Sequence, residues 1–369
     1  MLCKRFVDKE PCMATVAQFD ITYTQFLNEQ GKLTGDAPAF VKDPNVLKEL
    51  YKVMVLTRTF DKKAIALQRT GRMGTYAPIN GQEAISTAIG HAMRPEDVFV
   101  PYYRDYAAQI QRGVKMSEIL SYWGGDERGS KFSDNAHDLP ICVPIASQCL
   151  HAAGVAFAFQ YRNEPRVAVV CIGEGGTSEG DFYEAINVAG TWKLPVVFVV
   201  NNNQWAISVP RDKQTGTQTI AQKAIAAGFI GLQVDGNDIL ATRHVIGEAI
   251  EKARRGEGPT LVEALTYRLS DHTTADDATR YQPSTEVEQA KPKEPISRFK
   301  EYLLHEKIWN AQEEEKLVME CAEEVEKAVD EYLSAKPQPI SSIFDYHYAE
   351  LPEYLVEQRA IAMEEANNA

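Results

Sequence analysis

VAVVCIGEGG at residues 167–176 and VVFVVNNNQW at residues 196–205 determine the architecture expected of this chain. Each stretch opens with a run of apolar residues without alternating polar positions, which is typical of strands buried on both faces of a parallel sheet. Between them, residues 178–193 place Phe182 and Ile186 on one face of a helix. Because a strand, a helix and a strand follow one another, the two strands are predicted to lie parallel in one sheet.

The same alternation continues on both sides of this unit. Predicted helices at 82–93 and 238–255 alternate with predicted strands at 97–100, 232–234 and 261–266. The fold class is therefore predicted to be α/β, with a doubly wound, mostly parallel sheet.

The chain divides into three predicted regions. Residues 1–43 lack strong periodicity and are interpreted as an N-terminal arm, which ends where Asp43-Pro44 provides a helix cap and a first helical residue. Residues 44–290 form the α/β domain. Residues 291–369 form a helical C-terminal extension whose last part is predicted to be a tail.

Composition excludes several classes of function. Lys and Arg number 39 against 52 Asp and Glu, and a net charge of -13 disfavours binding to nucleic acid. No apolar run approaches the length of about 18 residues that a membrane helix needs. The first residues resemble neither a signal peptide nor an organelle presequence, so a bacterial cytoplasm is predicted ahead of a mitochondrial matrix. The six cysteines form no CxxC pair, and no disulfide framework is expected.

Polar residues follow both of the central predicted strands. Glu174 comes directly after the first strand, and Asn201 to Asn203 end the second. Ligands of open α/β sheets bind at the carboxyl ends of the strands. A carboxylate and a neutral amide at this edge suit a magnesium ion that bridges phosphates, and the glycines beside Glu174 allow close approach of the backbone.

Other glycine-rich motifs fit this turn less well. No Gly-Lys-Ser/Thr follows Gly175 to Gly180, which excludes a Walker A loop, and Ser178 breaks the G-x-G-x-x-G spacing of a dinucleotide motif. A plain glycine turn without a ligand is the alternative. The asparagines at the end of the next strand favour a binding site over that alternative.

The segment from Gly173 to Asn203 resembles the thiamine diphosphate motif. GEGGTSEGDFYEAIN at 173–187 and NNNQWAIS at 201–208 are similar, more closely, to alpha subunits of 2-oxo acid dehydrogenases, and the resemblance extends from about Thr57 to Leu304. These enzymes decarboxylate a 2-oxo acid and pass the acyl group to a lipoyl carrier. The resemblance therefore implies a thiamine diphosphate-binding fold for the α/β domain.

The resemblance also implies a set of cofactor ligands. The side chains of Glu174 and Asn203 and the main-chain carbonyl of Trp205 would bind magnesium, and Gly175 and Gly176 would lie against the diphosphate. Many relatives have Asp and Tyr where this chain has Glu174 and Trp205. Glu174 is one methylene longer than Asp, and the loop must accommodate that methylene. Trp205 would bind through its main-chain carbonyl, so a change of its side chain is tolerated.

Five further residues match the family's site. Tyr103 and Arg104 correspond to a Tyr-Arg pair that touches the cofactor, although an arginine in isolation is more often part of a surface salt bridge. Val143 and Ile145 would lie near the pyrimidine ring. His272 would contact the diphosphate region and assist acyl transfer, for which the pKa of imidazole is suited.

Weaker candidates lie elsewhere. Asp181 and Glu184 share a helix face and could relay protons towards a partner, or could form a solvated acidic stripe. His137 is a minor candidate. Some animal relatives are phosphorylated at the position of Thr273. Gly81-Gln82-Glu83 matches the family without an assigned role.

The resemblance places pyruvate first among substrates, with branched-chain 2-oxo acids and acetoin as alternatives. A non-catalytic nucleotide-binding α/β protein is the alternative from another class. Decarboxylation with thiamine diphosphate requires a glutamate at the aminopyrimidine, and no such residue is evident here. A beta subunit is therefore predicted to supply it in an α2β2 heterotetramer, which would dock on a lipoyl transacylase core.

Overall fold

The computed structural model describes residues 15–135 and 137–368. Cys3, Cys12 and the start of the chain, where the sequence predicts no targeting signal, lie outside the described residues. None of the helices in the described part is long and apolar enough to cross a membrane.

The described chain alternates between strands and helices. The strands are β1 (Tyr23–Thr24), β2 (Val98–Val100), β3 (Ala168–Gly173), β4 (Val196–Asn202), β5 (Trp205–Ala206), β6 (Val209–Pro210), β7 (Ile230–Asp235) and β8 (Thr260–Leu265). The helices are α1 (Pro44–Arg69), α2 (Glu83–Ala92), α3 (Tyr106–Gln111), α4 (Met116–Trp123), α5 (Ser147–Tyr161), α6 (Gly180–Trp192), α7 (Arg211–Gln214), α8 (Lys223–Ala226), α9 (Ile239–Arg254), α10 (Ser284–Ala290), α11 (Pro295–His305), α12 (Ala311–Ser334), α13 (Ser342–Asp345) and α14 (Glu353–Asn368).

Six of the strands form one sheet, in the order β1-β7-β8-β4-β3-β2, and every neighbouring pair is parallel. The remaining two, β5 and β6, form a small antiparallel hairpin directly after β4. The register pairs Gly173 of β3 with Asn201 of β4, so the polar residues that follow these strands emerge at the same edge. The predicted parallel α/β fold is confirmed.

Both faces of the sheet are covered by helices. On β3 and β4, Val169 and Val197 point into a core shared with α1, α2 and α9. Val170 and Phe198, the next residue on each strand, point into a second core formed with α5 and α6. This opposite placement of successive buried residues explains why both strands are apolar at successive positions, up to Ile172 and Val200.

Two segments differ from the sequence-based expectation. Tyr23–Thr24, within the predicted arm, pairs with β7 and forms the edge of the sheet. The end of the chain, predicted as a tail, contains the helix Glu353–Asn368. The helices α11 and α12 contribute Phe299 and Leu317 to the larger core. The division into three regions remains a prediction.

Candidate functional site

One cavity of about 500 Å³ lies at the carboxyl edge of the sheet. All the residues that the sequence assigns to the site line it, and it is also lined by Tyr102, Gln148 and Glu179. The assigned residues are Tyr103, Arg104, Val143, Ile145, Glu174, Gly175, Gly176, Asn203, Trp205 and His272. Residues far apart in sequence thus meet in one place, although their individual roles remain predictions.

Glu174 is the first residue of a 3-10 turn, Glu174–Ser178, that directly follows β3. Its side chain is only 1% exposed. One carboxylate oxygen, Oε2, accepts a hydrogen bond from Asn203 N at 3.3 Å, but the other, Oε1, has no hydrogen-bond partner among the described residues. A buried carboxylate oxygen without a donor is costly unless a cation or proton neutralises it, so this position fits a bound cation.

The burial of Glu174 has a consequence for stability without a cation. Burial raises the pKa of this carboxyl from 4.5 to about 7. The folded state therefore holds the proton more tightly than the unfolded state. The resulting stability is fully present below pH 4.5 and is lost as the pH rises through 7.

In chelator-treated protein, Glu174→Gln is therefore expected to raise the free energy of unfolding at pH 8 by up to about 3 kcal/mol. At pH 4.5 the variant should differ little from the wild type, because both side chains are then neutral. Urea unfolding at the two pH values measures this difference. A variant that is less stable than the wild type at pH 8 would contradict the assigned effect of burial.

Asn203 is held by both ends of its amide group. Its Nδ2 donates to Gln82 Oε1 at 3.0 Å, and its Oδ1 accepts from Trp205 N at 3.2 Å. The chain then turns through Gln204 and Ile207, which have φ values of 72° and 55°. This turn begins the β5–β6 hairpin and positions Trp205 beside the cavity. Gln82, to which sequence reasoning gave no role, is thus the anchor of the amide.

The glycines beside Glu174 are packed closely against the protein itself. A Cβ atom on Gly175 would lie 2.5 Å from Ala206 Cβ, and one on Gly176 would lie 2.7 Å from Ile172 Cδ1 and 3.0 Å from Ile145 Cγ2. A side chain at either position would therefore displace the walls of the cavity. The turn brings its backbone to the cavity only because these two residues are glycine.

Two buried guanidinium groups lie at this site: Arg104 lines the cavity, and Arg268 contacts residues that line it. Arg104 is 1% exposed; its Nη1 donates to Pro78 O at 2.6 Å, and both Nη atoms donate to His272 O at 3.1 Å. Arg268 is fully buried and donates to Trp205 O at 3.4 Å and to Ile207 O at 2.8 Å. Both bond to neutral groups, so their charges suit an anion such as a diphosphate.

Sequence reasoning did not single out Arg268. The signal was available, since Arg268 lies three residues after the end of β8 at the same edge as Glu174. A positive charge at that edge is a candidate for anion binding.

His272 lies between these two arginines. Its Nδ1 is 3.4 Å from Arg104 Nη2 and 3.4 Å from Arg268 Nη1. Burial, and after it the charges of Arg104 and Arg268, together lower the pKa of His272 to about 3. The imidazole is therefore neutral at physiological pH. Tyr103 packs against it edge to face, with the ring centres 6.0 Å apart.

The loop that carries His272 is held by Asp276. Its Oδ2 accepts hydrogen bonds from His272 N at 2.8 Å and from the hydroxyl of Tyr281. That hydroxyl in turn accepts from Arg268 Nη2 at 2.6 Å. The second buried arginine thus contacts both the hairpin and the histidine loop, and it fixes their relative positions.

Val143 and Ile145 lie on the approach to α5. Both are half-exposed, at 46% and 47%, and Ala146 between Ile145 and the helix has a left-handed φ of 70°. By contrast, Asp181 and Glu184 on α6 and the exposed His137 do not line the cavity. The proton relay suggested for the two carboxylates has no support from this placement.

The carboxyl edge of this parallel α/β sheet brings together a carboxylate oxygen without a hydrogen-bond donor, an amide and two guanidinium groups. This set of groups is typical of a protein that binds an anionic cofactor. Residues 51–341 match the family model described as dehydrogenase E1 component. The chain belongs to this family.

Three named relatives align with almost the full length of this chain. The pyruvate dehydrogenase E1 component subunit alpha of Staphylococcus aureus strain Mu50 is 39% identical, over 95% of this chain and 94% of the relative. The proteins of the same name from Staphylococcus epidermidis and Bacillus subtilis strain 168 are 40% and 39% identical; the alignments cover 95% and 96% of this chain and 94% and 96% of the relatives.

The resemblance seen in the sequence is therefore confirmed. The similarity also extends past both ends of the segment from Thr57 to Leu304 for which it was predicted. Members of this family are thiamine diphosphate-dependent components of 2-oxo acid dehydrogenases, and this chain is an enzyme component of that type. The alternative of a non-catalytic nucleotide-binding protein is set aside. Since the relatives are subunits of a component, a chain of this family works in an assembly with partners.

Proposed function

We propose that this chain is the alpha subunit of a pyruvate dehydrogenase component, which decarboxylates pyruvate and passes the acetyl group to a lipoyl carrier. The relatives named above support pyruvate as the substrate. The observation that carries the proposal is the unpartnered Oε1 of Glu174 beside Asn203, in a cavity that is also lined by the buried Arg104.

In this proposal the cavity binds magnesium and thiamine diphosphate. The carboxylate of Glu174, the amide oxygen of Asn203 and the main-chain carbonyl of Trp205 are the oxygen donors that magnesium prefers. Gly175 and Gly176 present backbone without side chains to the diphosphate. In the structure, Asn203 Oδ1 and Trp205 O accept bonds from Trp205 N and Arg268, and a cation would replace or share these contacts.

The remaining residues orient the cofactor. Arg104 supplies charge for the diphosphate, and Tyr103 packs beside it with the guanidinium 5.2 Å from the ring centre. Val143 and Ile145 are half-exposed apolar side chains, which suits residues that support an aromatic ring from one side. His272 contributes a neutral imidazole where the acyl group is transferred.

Thiamine diphosphate, when bound, supplies the electron sink that takes the electron pair left by carbon dioxide. The chain's own residues bind and orient this group and exclude water around the diphosphate. The carboxylates that line the cavity are Glu174, proposed for the cation, and the exposed Glu179. We infer that a beta subunit supplies the glutamate for the aminopyrimidine in an α2β2 heterotetramer, and that this assembly docks on a lipoyl transacylase core.

The test is an assay of the chain together with its co-purifying partner, expected to have a mass of roughly 35 kDa, the size of one more domain of this kind. Three activities would be compared with and without a chelator: decarboxylation of pyruvate, decarboxylation of 2-oxoisovalerate and cleavage of acetoin. We expect the kcat/KM for pyruvate to exceed the others by about tenfold or more, as expected when a pocket discriminates by side-chain size. Faster turnover of 2-oxoisovalerate or acetoin would reassign the substrate, and activity on none would reject the proposal.

A further inference from the structure

Lys223 is a buried lysine whose ammonium has no acidic partner among residues 15–135 and 137–368. The residue is 4% exposed and lies in the short helix α8. Its Nζ donates to Thr177 O at 2.7 Å and to Thr177 Oγ1 at 2.9 Å, and it lies 5.1 Å from the centre of the Tyr183 ring. No salt bridge to Lys223 is present in the part of the chain that the structure describes. Burial lowers the pKa of Lys223 to about 8, which reflects the cost of this environment.

The partner of Lys223 belongs to the turn that carries Glu174. Thr177 Oγ1 donates to Glu174 O at 2.7 Å, so it accepts from the ammonium and passes the contact on to the backbone of Glu174. A single ammonium thus fixes both the carbonyl and the hydroxyl of Thr177. The contacts connect α8 to the first residue of the turn.

This turn needs support from outside. It is a 3-10 segment, in which hydrogen-bond geometry is poorer than in an α-helix. Two of its residues, Gly175 and Gly176, lose the most backbone freedom on ordering. Gln214 Nε2 donates to Gly175 O at 2.9 Å, but its side chain lies in a partly exposed contact. Lys223 is the buried support.

We propose that Lys223 is a positioning residue for the cofactor site, which acts through Thr177 to hold Glu174 and the adjacent glycines in the geometry that binds magnesium and diphosphate. This inference rests on the proposed function. If Lys223 had a purely structural role, its substitution would change only the stability of the fold. Substitution of a positioning residue changes the affinity for cation and cofactor and leaves the rate of the chemical step unchanged, because outer contacts orient the groups that hold the ligand.

The experiment uses the chain in complex with its co-purified partner and measures the Kd of thiamine diphosphate by titration calorimetry at several magnesium concentrations. We expect Lys223→Met to raise this Kd and the magnesium concentration for half-saturation by about 10- to 100-fold. The kcat at saturating cofactor should stay within about twofold of the wild type, since no reacting group has changed.

Lys252 provides the matched control. Its Nζ also donates to backbone carbonyls, those of Gly258 at 3.1 Å and Pro259 at 2.8 Å, and burial also lowers its pKa. It lies near the amino end of β8, at the edge of the sheet opposite the cavity. Lys252→Met is expected to lower the Tm without changing either binding constant.

A second pair of variants, at Thr177, tests the same contacts and also decides the question if Lys223→Met does not fold. Thr177→Val removes the hydroxyl and should raise the Kd of thiamine diphosphate. Thr177→Ser keeps the hydroxyl and should have the Kd of the wild type. In the double variant the effects of Lys223→Met and Thr177→Val should be less than additive. Unchanged binding constants in Thr177→Val, and in Lys223→Met where that variant folds, would overturn the inference. A wild-type complex that does not bind thiamine diphosphate would instead overturn the proposed function.

Discussion

Glu174→Gln is expected to lower magnesium-dependent decarboxylation of pyruvate by about a thousandfold, which corresponds to about 4 kcal/mol. Glutamine has nearly the same shape but no charge. Among the proposed ligands, Glu174 is the one carboxylate, while Asn203 and Trp205 contribute neutral oxygens. The substitution therefore removes the charge that draws a divalent cation into a buried site. Titration of activity and of cofactor binding with magnesium measures the loss.

The control for this experiment is Glu263→Gln. Glu263 on β8 is equally buried, but its oxygens accept from Asn202 Nδ2 at 2.7 Å and from Ala221 N at 3.0 Å. Its loss should reduce stability because these donors are left without a charged acceptor, while magnesium dependence persists. If Glu174→Gln kept the magnesium affinity of the wild type, the cation would have to bind elsewhere.

The strand ends were predictable from the sequence because they depend on local pattern. Uninterrupted apolar runs identify β3 and β4, and the carboxyl ends of parallel strands meet at one edge. The convergence of Glu174 and Asn203 follows from these two facts. Arg104 and His272 joined the site only through family resemblance, since nothing in the local pattern brings residues 168 positions apart together.

Other parts of the site depend on long-range packing that no local pattern shows. Gln82 meets Asn203 across 121 positions, and Lys223 meets Thr177 across 46. A lysine is normally predicted to be exposed, because most lysines are. In the same way, β1 has two residues and gains its place in the sheet from pairing with β7 rather than from its own propensity.

His272→Ala is expected to slow acetyl transfer to the lipoyl carrier by about 10²- to 10³-fold, in the range typical of general acid–base groups. Release of carbon dioxide, measured with an artificial electron acceptor, should fall by less than about tenfold because cofactor binding relies mainly on other residues. The comparison of the two rates in the same preparation is the measurement. Equal losses in both would assign His272 to cofactor binding alone.

The physical reason lies in the surroundings of the imidazole. Burial first, and then the charges of Arg104 and Arg268, hold the pKa of His272 at about 3, so the imidazole carries no positive charge at neutral pH. An anion bound at these guanidiniums offsets their charge and returns the pKa of His272 towards the range where it can exchange protons. Under the proposed function, His272 is therefore better suited to proton transfer when the diphosphate of the cofactor is bound.

His91 separates this role from the general effect of removing a buried imidazole. Its Nδ1 accepts from Arg243 Nε at 2.7 Å, and burial and this arginine lower its pKa as well. It lies on α2 and does not line the cavity. His91→Ala should therefore leave both rates close to those of the wild type. If it reduced acetyl transfer as strongly as His272→Ala, loss of an imidazole anywhere in the fold would explain the result, and a specific role for His272 would be rejected.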